Sequence, residues 1–385
     1  MSSPVYILSA ARTPIGSFQG GLATLSAPAL GAHAIRAALD AAHIEPVQVD
    51  EGLMGNVIGA GVKQAPARQA LRSAGLPDAC SATTINKVCG SGMKATMLAA
   101  DQIAAGNAHC MISGGMESMS NAPYLLPKAR SGQRMGHGQT LDAMFLDGLE
   151  DADSGRSMGS FADATAAAHQ LSRERQDAFA IESVTRAKRA IQDGSLAAEI
   201  APVAIGAAII EHDEQPGRSR LEKIPTLRPA FSPDGTVTAA NASSISDGAS
   251  ALVLTRDVPA SREPLARIAG HHTHSIAPAD FTLAPVGAIR GLLAKLDWSV
   301  DSVDLFEINE AFAMVVLLAI DELGLDAERV NRYGGSCAQG HPIGSTGSRL
   351  IVTLAHAMAR FERKRGIAAL CIGGGEATAI ALERD

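Results

Sequence analysis

The chain has 385 residues, 46% apolar and 19% charged, which is enough to bury a sizeable core and too apolar for disorder. At about 150 residues per domain this length predicts two or three domains. The 33 Lys and Arg stand against 40 Asp and Glu, a net charge of −7, and aromatics are only 3%; a basic stripe or stacking platform for nucleic acid is excluded.

The opening Met1-Ser2-Ser3-Pro4-Val5 lacks the basic start and long apolar core of a secretory leader. No apolar run reaches the roughly 18 residues of a membrane span. The five cysteines, Cys80, Cys89, Cys110, Cys337 and Cys371, are odd in number and sparse. Such a set predicts reduced thiols in a cytoplasmic compartment.

In chain order, Val5–Ser9 reads as a strand, and Ser26 caps a helix to about His43 with Pro28 in its first turn. Thr83–Val88 is a second strand. Cys89-Gly90-Ser91-Gly92 follows, then a helix to about Ala105, with Met93, Met97, Ala100 and Ala104 on one face and Gly106 at its end. His109–Ser113 reads as a strand closed by Gly114-Gly115. Strand, helix, strand in this order predicts parallel pairing with crossover helices.

Between about Met116 and Thr236 the texture becomes polar and loop-rich, most of all over residues 128–139. One helix stands out there, capped by Ser172 and ending near Gly194, with Ala180, Val184, Ala187 and Ile191 on its buried face. This stretch reads as an insertion of loops and helices. Ala251–Thr255 and Leu265–Ala269 return to strand. Asp304–Ile308 is a strand, followed by Asn309 and an apolar helix to Leu323 stopped by Gly324. Val330–Tyr333 leads through a glycine-rich turn to a helix from about Ser345. Ala368–Ile372 is a strand closed by Gly373-Gly374-Gly375. The pieces 111–117 and 371–376 look alike, which suggests an internal duplication.

Four positions have a setting that suits chemistry. Cys89 lies between a strand and a helix start, where backbone N–H groups stabilise a thiolate; the other reading is a small buried residue at a turn. His341, between Gly340 and Pro342, is a candidate general base or oxyanion donor, or else an exposed turn histidine. Asn309 is simplest as a helix N-cap, and otherwise a polar amide at the carboxyl end of a strand, where ligands bind in α/β folds. Cys371 precedes three glycines whose N–H groups can form an oxyanion nest, or is one more core cysteine. Cys80, Cys110 and Cys337 read as structural. No Walker A pattern and no zinc-type CxxC spacing occurs, so no metal site is predicted.

Together, Ile7-Leu8-Ser9-Ala10-Ala11-Arg12-Thr13-Pro14-Ile15-Gly16, Asn86-Lys87-Val88-Cys89-Gly90-Ser91-Gly92, Gly114-Gly115-Met116-Glu117-Ser118-Met119, Leu227-Arg228-Pro229-Ala230-Phe231, Asn241-Ala242-Ser243, Asn309-Glu310-Ala311-Phe312-Ala313, Gly340-His341-Pro342-Ile343-Gly344 and Cys371-Ile372-Gly373-Gly374-Gly375 resemble the thiolase family, the acetyl-CoA C-acyltransferases. The resemblance covers essentially the whole chain. It implies an α/β thiolase fold, two similar βαβαβαββ halves in five layers with an inserted loop domain. The expected division is a first half over 1–117 and 237–262, the loop domain over 118–236 and the second half over 263–385.

For chemistry the resemblance implies that Cys89 carries the acyl group. His341 activates Cys89 and helps hold the thioester oxygen, while Asn309 positions a water beside it. Cys371 exchanges the α-proton, and the N–H groups of Cys89 and Gly373 hold the other oxyanion. By motif, Phe231, Ala239, Ser243, Ala311 and Phe312 line the pantetheine of coenzyme A. Met158 and Phe281 border the acyl pocket, and Arg220, with the stretch from Arg218, supplies a cation for the nucleotide end. The sequence departs from the family at Ser157, Gln339, Glu376 and Phe281, which bears on acyl preference. Coenzyme A and acyl-CoA are implied as substrates, with no permanently bound cofactor, and a homodimer or homotetramer as the assembly. The alternatives are a 3-ketoacyl-synthase-like enzyme, which would carry His at 371, a cysteine hydrolase, and an idle acyl-CoA-binding relative, which would have lost Cys89 or His341.

Overall fold

The computed structural model describes residues 4–385; residues 1–3, part of the terminus read above for a leader, lie outside the described residues. Ten strands form one mixed sheet: β1 Tyr6–Arg12, β2 Gly16–Ser17, β3 Glu51–Gly55, β4 Ser81–Ile85, β5 Cys110–Ser118, β6 Ser246–Thr255, β7 Ala266–Ser275, β8 Leu305–Ile308, β9 Arg365–Ile372 and β10 Glu376–Glu383. Their order is β8-β9-β10-β7-β1-β6-β5-β3-β4, with β2 beside β6. The pairs β3–β4, β3–β5 and β8–β9 are parallel, as crossover helices require, and the other pairs are antiparallel.

The eight longer helices are α1 Ala27–Ala42, α2 Pro66–Ser73, α3 Ser91–Ala104, α4 Met158–Ala168, α5 Arg173–Gln192, α6 Ala284–Leu296, α7 Ala313–Leu323 and α8 Ile343–Arg360. Ser26 and Ser172 cap α1 and α5 through the Ala29 and Arg175 N–H groups, as the sequence predicts. The apolar faces sort the helices into layers. α1 and α2 pack on the outer face of the first half, and α6 and α7 on that of the second. α3 and α8 lie between the two halves in the central core. Outer helices, one half of the sheet, the central helices, the other half of the sheet and outer helices give the expected five layers.

The duplication is visible in the strand order. From one edge the sheet reads β4-β3-β5-β6-β1, and from the other β8-β9-β10-β7, each with parallel outer strands leading to antiparallel inner ones. The resembling segments 111–117 and 371–376 occupy equivalent places in β5 and around the β9–β10 turn. The strand matching β4 is reduced in the second half to one parallel bridge, Phe306 to Val330. Asn331 completes that edge. Its backbone N–H donates to Phe306 O at 2.9 Å, its Nδ2 donates to Ile308 O at 2.9 Å, and its Oδ1 accepts from Ile308 N at 2.8 Å.

Several sequence boundaries move. β5 does not stop at Gly114-Gly115 but runs through them to Ser118. These glycines serve close approach: a Cβ on Gly114 would collide with Ser250 O, and one on Gly115 with the carbonyl oxygen of Gly344. The strand expected over Thr83–Val88 is Ser81–Ile85, because the backbone turns at Asn86. α8 begins at Ile343 rather than Ser345, and β6 and β7 are longer than expected. Residues 119–236 hold α4, α5, short helical turns and two small hairpins, none of which joins the main sheet. Among the described residues no helix is long and apolar enough to cross a membrane.

Candidate active site

The site assembles at the carboxyl ends of β4, β8 and β9, where turns carry Cys89, Asn309 and Gly373. After β4 the chain makes a tight turn in which Val88 adopts φ +47°. A β-branched residue there is strained by roughly 1–2 kcal/mol and is held only by its surroundings. The holds are visible: Val88 N donates to Asn86 Oδ1 at 3.0 Å, Ser91 Oγ donates to Val88 O at 2.6 Å, and Lys87 N donates to Ser91 Oγ at 2.8 Å. This geometry places Cys89 at the start of α3 and presses Gly90 onto Ile372.

The N–H groups of Gly373 and of Cys89 itself favour a thiolate at Cys89, but burial outweighs them and pushes the thiol up to about 11. The N–H groups expected from the sequence to favour the thiolate are present, and burial sets the balance toward the thiol, so attack by Cys89 calls for a base. Cys371, at the end of β9, is fully buried, and burial together with nearby Cys89 pushes its thiol far up as well. The Gly373–Gly375 turn joins β9 to β10 directly beside these sulfurs.

His341 sits on a loop turned by Gly340 at φ +111°, where a Cβ would strike Ser246. Its backbone N–H donates to Ser244 O at 3.0 Å. Its Nδ1 lies 2.6 Å from Thr346 Oγ1, and the Thr346 hydroxyl donates its own proton to Pro342 O at 3.0 Å. The hydrogen-bond network thus assigns the proton to Nδ1 and leaves Nε2 with a bare lone pair. Nε2 is buried without a partner. Burial, reinforced by the Arg349 charge, pushes the imidazole down to about 3, so the ring is neutral and able to accept a proton.

This depression has a thermodynamic signature. The unfolded ring takes up a proton below about 6.5 while the folded one resists to about 3, so its contribution to stability is lost as pH falls through that window. His341→Asn lacks the effect. The stability difference, wild type minus variant, is expected to fall by on the order of 3 kcal/mol between pH 7 and pH 4 in urea titrations. A difference that does not change with pH would mean that His341 titrates normally in the fold.

Asn309 does not cap α7; that position belongs to Phe312. Instead its backbone N–H donates to Ala369 O at 3.0 Å, its Oδ1 accepts from Ser336 Oγ at 2.6 Å, and its buried Nδ2 has no partner. The second reading of Asn309, a polar amide at a strand's carboxyl end, is the one its position matches.

An apolar cluster packs around Cys371. Phe312 meets Phe231 and Phe281 edge-on, with ring centroids at 6.1 and 6.5 Å. Met158, Ala311 and Cys371 share this cluster, and Ser243 N donates to Ala311 O at 2.9 Å. Met158 Sδ would stand 3.3 Å from a Cβ on Gly373. Arg220 and Ala239 line a separate cavity of about 270 Å³ with Arg218 and Lys223. Of the departures, Ser157 directly precedes α4, and Gln339 is buried and donates to Tyr333 O at 3.3 Å. Glu376 pairs with Lys87 at 2.5 Å, tying the Cys89 turn to β10. Among the described residues no group of three or more His, Cys, Asp and Glu is placed to hold a metal ion.

Sequence reasoning gave no role to Glu117. It is buried at the end of β5 and accepts from Val57 N (3.0 Å), Ile58 N (3.2 Å), Gly344 N (3.0 Å) and Asn56 Nδ2 (2.7 Å). Burial pushes it up to about 7 against those four donors. It pins the loop after His341 to the end of the first half's sheet. A lone carboxylate in an otherwise apolar strand was the available signal.

Residues 5–257 match the family described as Thiolase, N-terminal domain, and residues 262–384 match Thiolase, C-terminal domain. The acetyl-CoA acetyltransferase of Schizosaccharomyces pombe is 46% identical over the full length of both chains. That of Escherichia coli is 46% identical over 98% of each. A thiolase from Ascaris suum, solved in complex with coenzyme A, superposes with a TM-score of 0.94 at 40% identity, over 99% of this chain and 100% of that one. The acetyl-CoA acetyltransferase of Syntrophomonas wolfei superposes with a TM-score of 0.97 at 36% identity, over the full length of both. With both family domains matched, relatives aligned end to end and the five-layer fold shared, the chain belongs to the thiolase family.

Proposed function

We propose that the enzyme is an acyl-CoA C-acyltransferase of short-chain preference, catalysing the thiolysis of 3-oxoacyl-CoA by coenzyme A and the reverse condensation of two acetyl-CoA. The observation that carries this reading is the surroundings of Cys89, supported by two buried nitrogens left without a protein partner. The Cys89 thiol lies against the Gly373 N–H with Cys371 nearby, and the nitrogens His341 Nε2 and Asn309 Nδ2 are buried without a protein partner.

In thiolysis the Cys89 sulfur attacks the 3-oxo carbon and its proton passes to His341 Nε2. The oxyanion formed there is held by the N–H groups of Cys89 and Gly373. The C2–C3 bond breaks, and its electron pair becomes the enolate of acetyl-CoA. His341, now carrying a proton on Nε2, and Asn309, through a water, hold the enolate oxygen. Cys371 protonates C2, and acetyl-CoA departs. Coenzyme A then attacks the acyl-Cys89, giving its proton to the Cys371 thiolate, while the released Cys89 sulfur recovers its proton from His341.

Phe281 at the acyl side is rigid and fills volume, which limits depth, while Ser157 leaves room at the side where many short-chain relatives have His. One methylene in such a pocket is worth about 1–3 kcal/mol, so preference is graded over chain length. Phe231, Ser243, Ala311 and Phe312 are read as the pantetheine wall and Arg220 as the nucleotide end, while Ala239, expected with the pantetheine, lines the cavity that holds Arg220. A cytoplasmic homodimer or homotetramer is the assembly we expect. The half-exposed edge strand β4 and the exposed side chains Tyr124, Leu126 and Met135 support it.

A panel of 3-oxoacyl-CoA thioesters, straight and 2-methyl-branched, tests the reading. Acetoacetyl-CoA and its 2-methyl form are expected to exceed 3-oxohexadecanoyl-CoA in kcat/KM by about tenfold or more. Best activity on long chains would overturn the short-chain preference, and release of free acid with water as acceptor would replace the transferase by a hydrolase.

A further inference from the structure

Behind Asn309 lies a buried hydrogen-bond chain whose direction is fixed at its far end. Arg349, on α8, is fully buried, and its Nη2 donates to Ser336 Oγ at 3.0 Å. A guanidinium has donors only, so this bond uses a lone pair of the hydroxyl and leaves the Ser336 proton for another acceptor. Ser336 Oγ lies 2.6 Å from Asn309 Oδ1 and makes no other side-chain hydrogen bond among the described residues. The proton therefore goes to Asn309, and the amide must present its oxygen to Ser336 and its nitrogen to the other side. That nitrogen is a buried donor with no protein partner, the arrangement expected of a group reserved for substrate or for a water bound with it.

We propose that Ser336, itself oriented by Arg349, is a positioning residue that locks the Asn309 amide with its N–H edge facing the water that holds the thioester oxygen. The proposal rests on the thiolase reading above and goes beyond it by naming what sets the amide. A flipped amide would present lone pairs to the bridging water and compete with the enolate oxygen for its protons, whereas the N–H edge leaves both water protons free, so orientation sets how strongly the water holds the developing charge. The effect falls on the step that forms or consumes the enolate. Transfer of an acetyl group from acetyl-CoA to Cys89 uses the other pair of donors, Cys89 N–H and Gly373 N–H, and is spared.

The test compares wild type, Ser336→Ala and Asn309→Ala. It measures steady-state thiolysis of acetoacetyl-CoA, quenched-flow acetylation of Cys89 by acetyl-CoA, and thermal midpoints. Ser336→Ala is expected to lower kcat about ten- to hundredfold, with KM and the acetylation rate within about twofold of wild type. Asn309→Ala is expected to lose at least as much. Unchanged kcat in Ser336→Ala beside a large loss in Asn309→Ala would overturn the positioning role and leave the thiolase reading intact. Unchanged kcat in both would instead remove Asn309 from the mechanism. An equal loss of acetylation and turnover in Ser336→Ala would mark a merely structural serine and also overturn the proposal. Should Ser336→Ala not fold, Ser336→Cys keeps the volume with a weaker donor and is read against the same outcomes.

Discussion

Incubation with acetyl-CoA is expected to add one acetyl group to the wild-type chain and none to Cys89→Ser, read by intact-protein mass spectrometry. The argument begins with the turn. Val88 in the left-handed region delivers Cys89 to the start of α3, and the Gly373 N–H reaches its sulfur. Burial keeps the sulfur protonated at rest, so attack depends on proton transfer to a neutral base, and His341, pushed down to about 3, is neutral throughout the physiological range. A serine hydroxyl in the same place holds its proton far more tightly than a thiol, and the weak base opposite cannot remove it. Turnover of Cys89→Ser should fall on the order of 10⁴-fold or more, as for other lost nucleophiles. Acetylation that persists on the variant would place the acyl carrier elsewhere.

The second large effect separates the two cysteines. Cys371→Ala is expected still to accept an acetyl group on Cys89, more slowly because the departing CoA thiolate loses its proton donor, yet lose about 10²- to 10⁴-fold in thiolysis and condensation, the range of a removed general acid or base. Cys371 lies on β9, two residues before the Gly373 donor, and is pushed to a high pKa by burial and by Cys89. A thiol so reluctant to ionise is a poor nucleophile but, once deprotonated, a strong base for a carbon acid. Tritium exchange from the methyl group of acetyl-CoA should disappear in the same variant. Near-normal turnover would assign the proton transfer to another group.

How much of this was legible depends on whether a residue's role was local. Ser26 and Ser172 cap helices through N–H groups three residues on, and the sequence shows them. Cys89 and His341 stand out because glycines flank them within one turn. Gly114 and Gly115 misled, because a glycine that ends a strand and one that admits another backbone look the same. The partner here, Gly344, lies far along the chain. Val88 misled because a β-branched residue predicts strand, and only the bonds from Asn86 and Ser91 hold it otherwise. Asn309 was open between cap and ligand; the choice needed Ser336, Ala369 and Arg349, which come from three other segments. The acyl-pocket and coenzyme A residues came from resemblance alone. Folding brings Phe231, Phe281 and Phe312 into one aromatic group but leaves Arg220 and Ala239 in a cavity of their own.

The two ends of the ten-stranded sheet are unlike. At the β8 end Asn331 answers the outward N–H and C=O groups of Phe306 and Ile308, so nothing is left there to recruit a further strand. At the β4 end a whole strand, Ser81–Ile85, stands half-exposed. A ribbon that can lengthen at both ends polymerises; one that can lengthen at a single end meets its own copy across a two-fold axis and then has no growing point left. The duplicated halves thus differ at their outer edges: a side chain occupies one, and the other leaves its backbone groups facing outward.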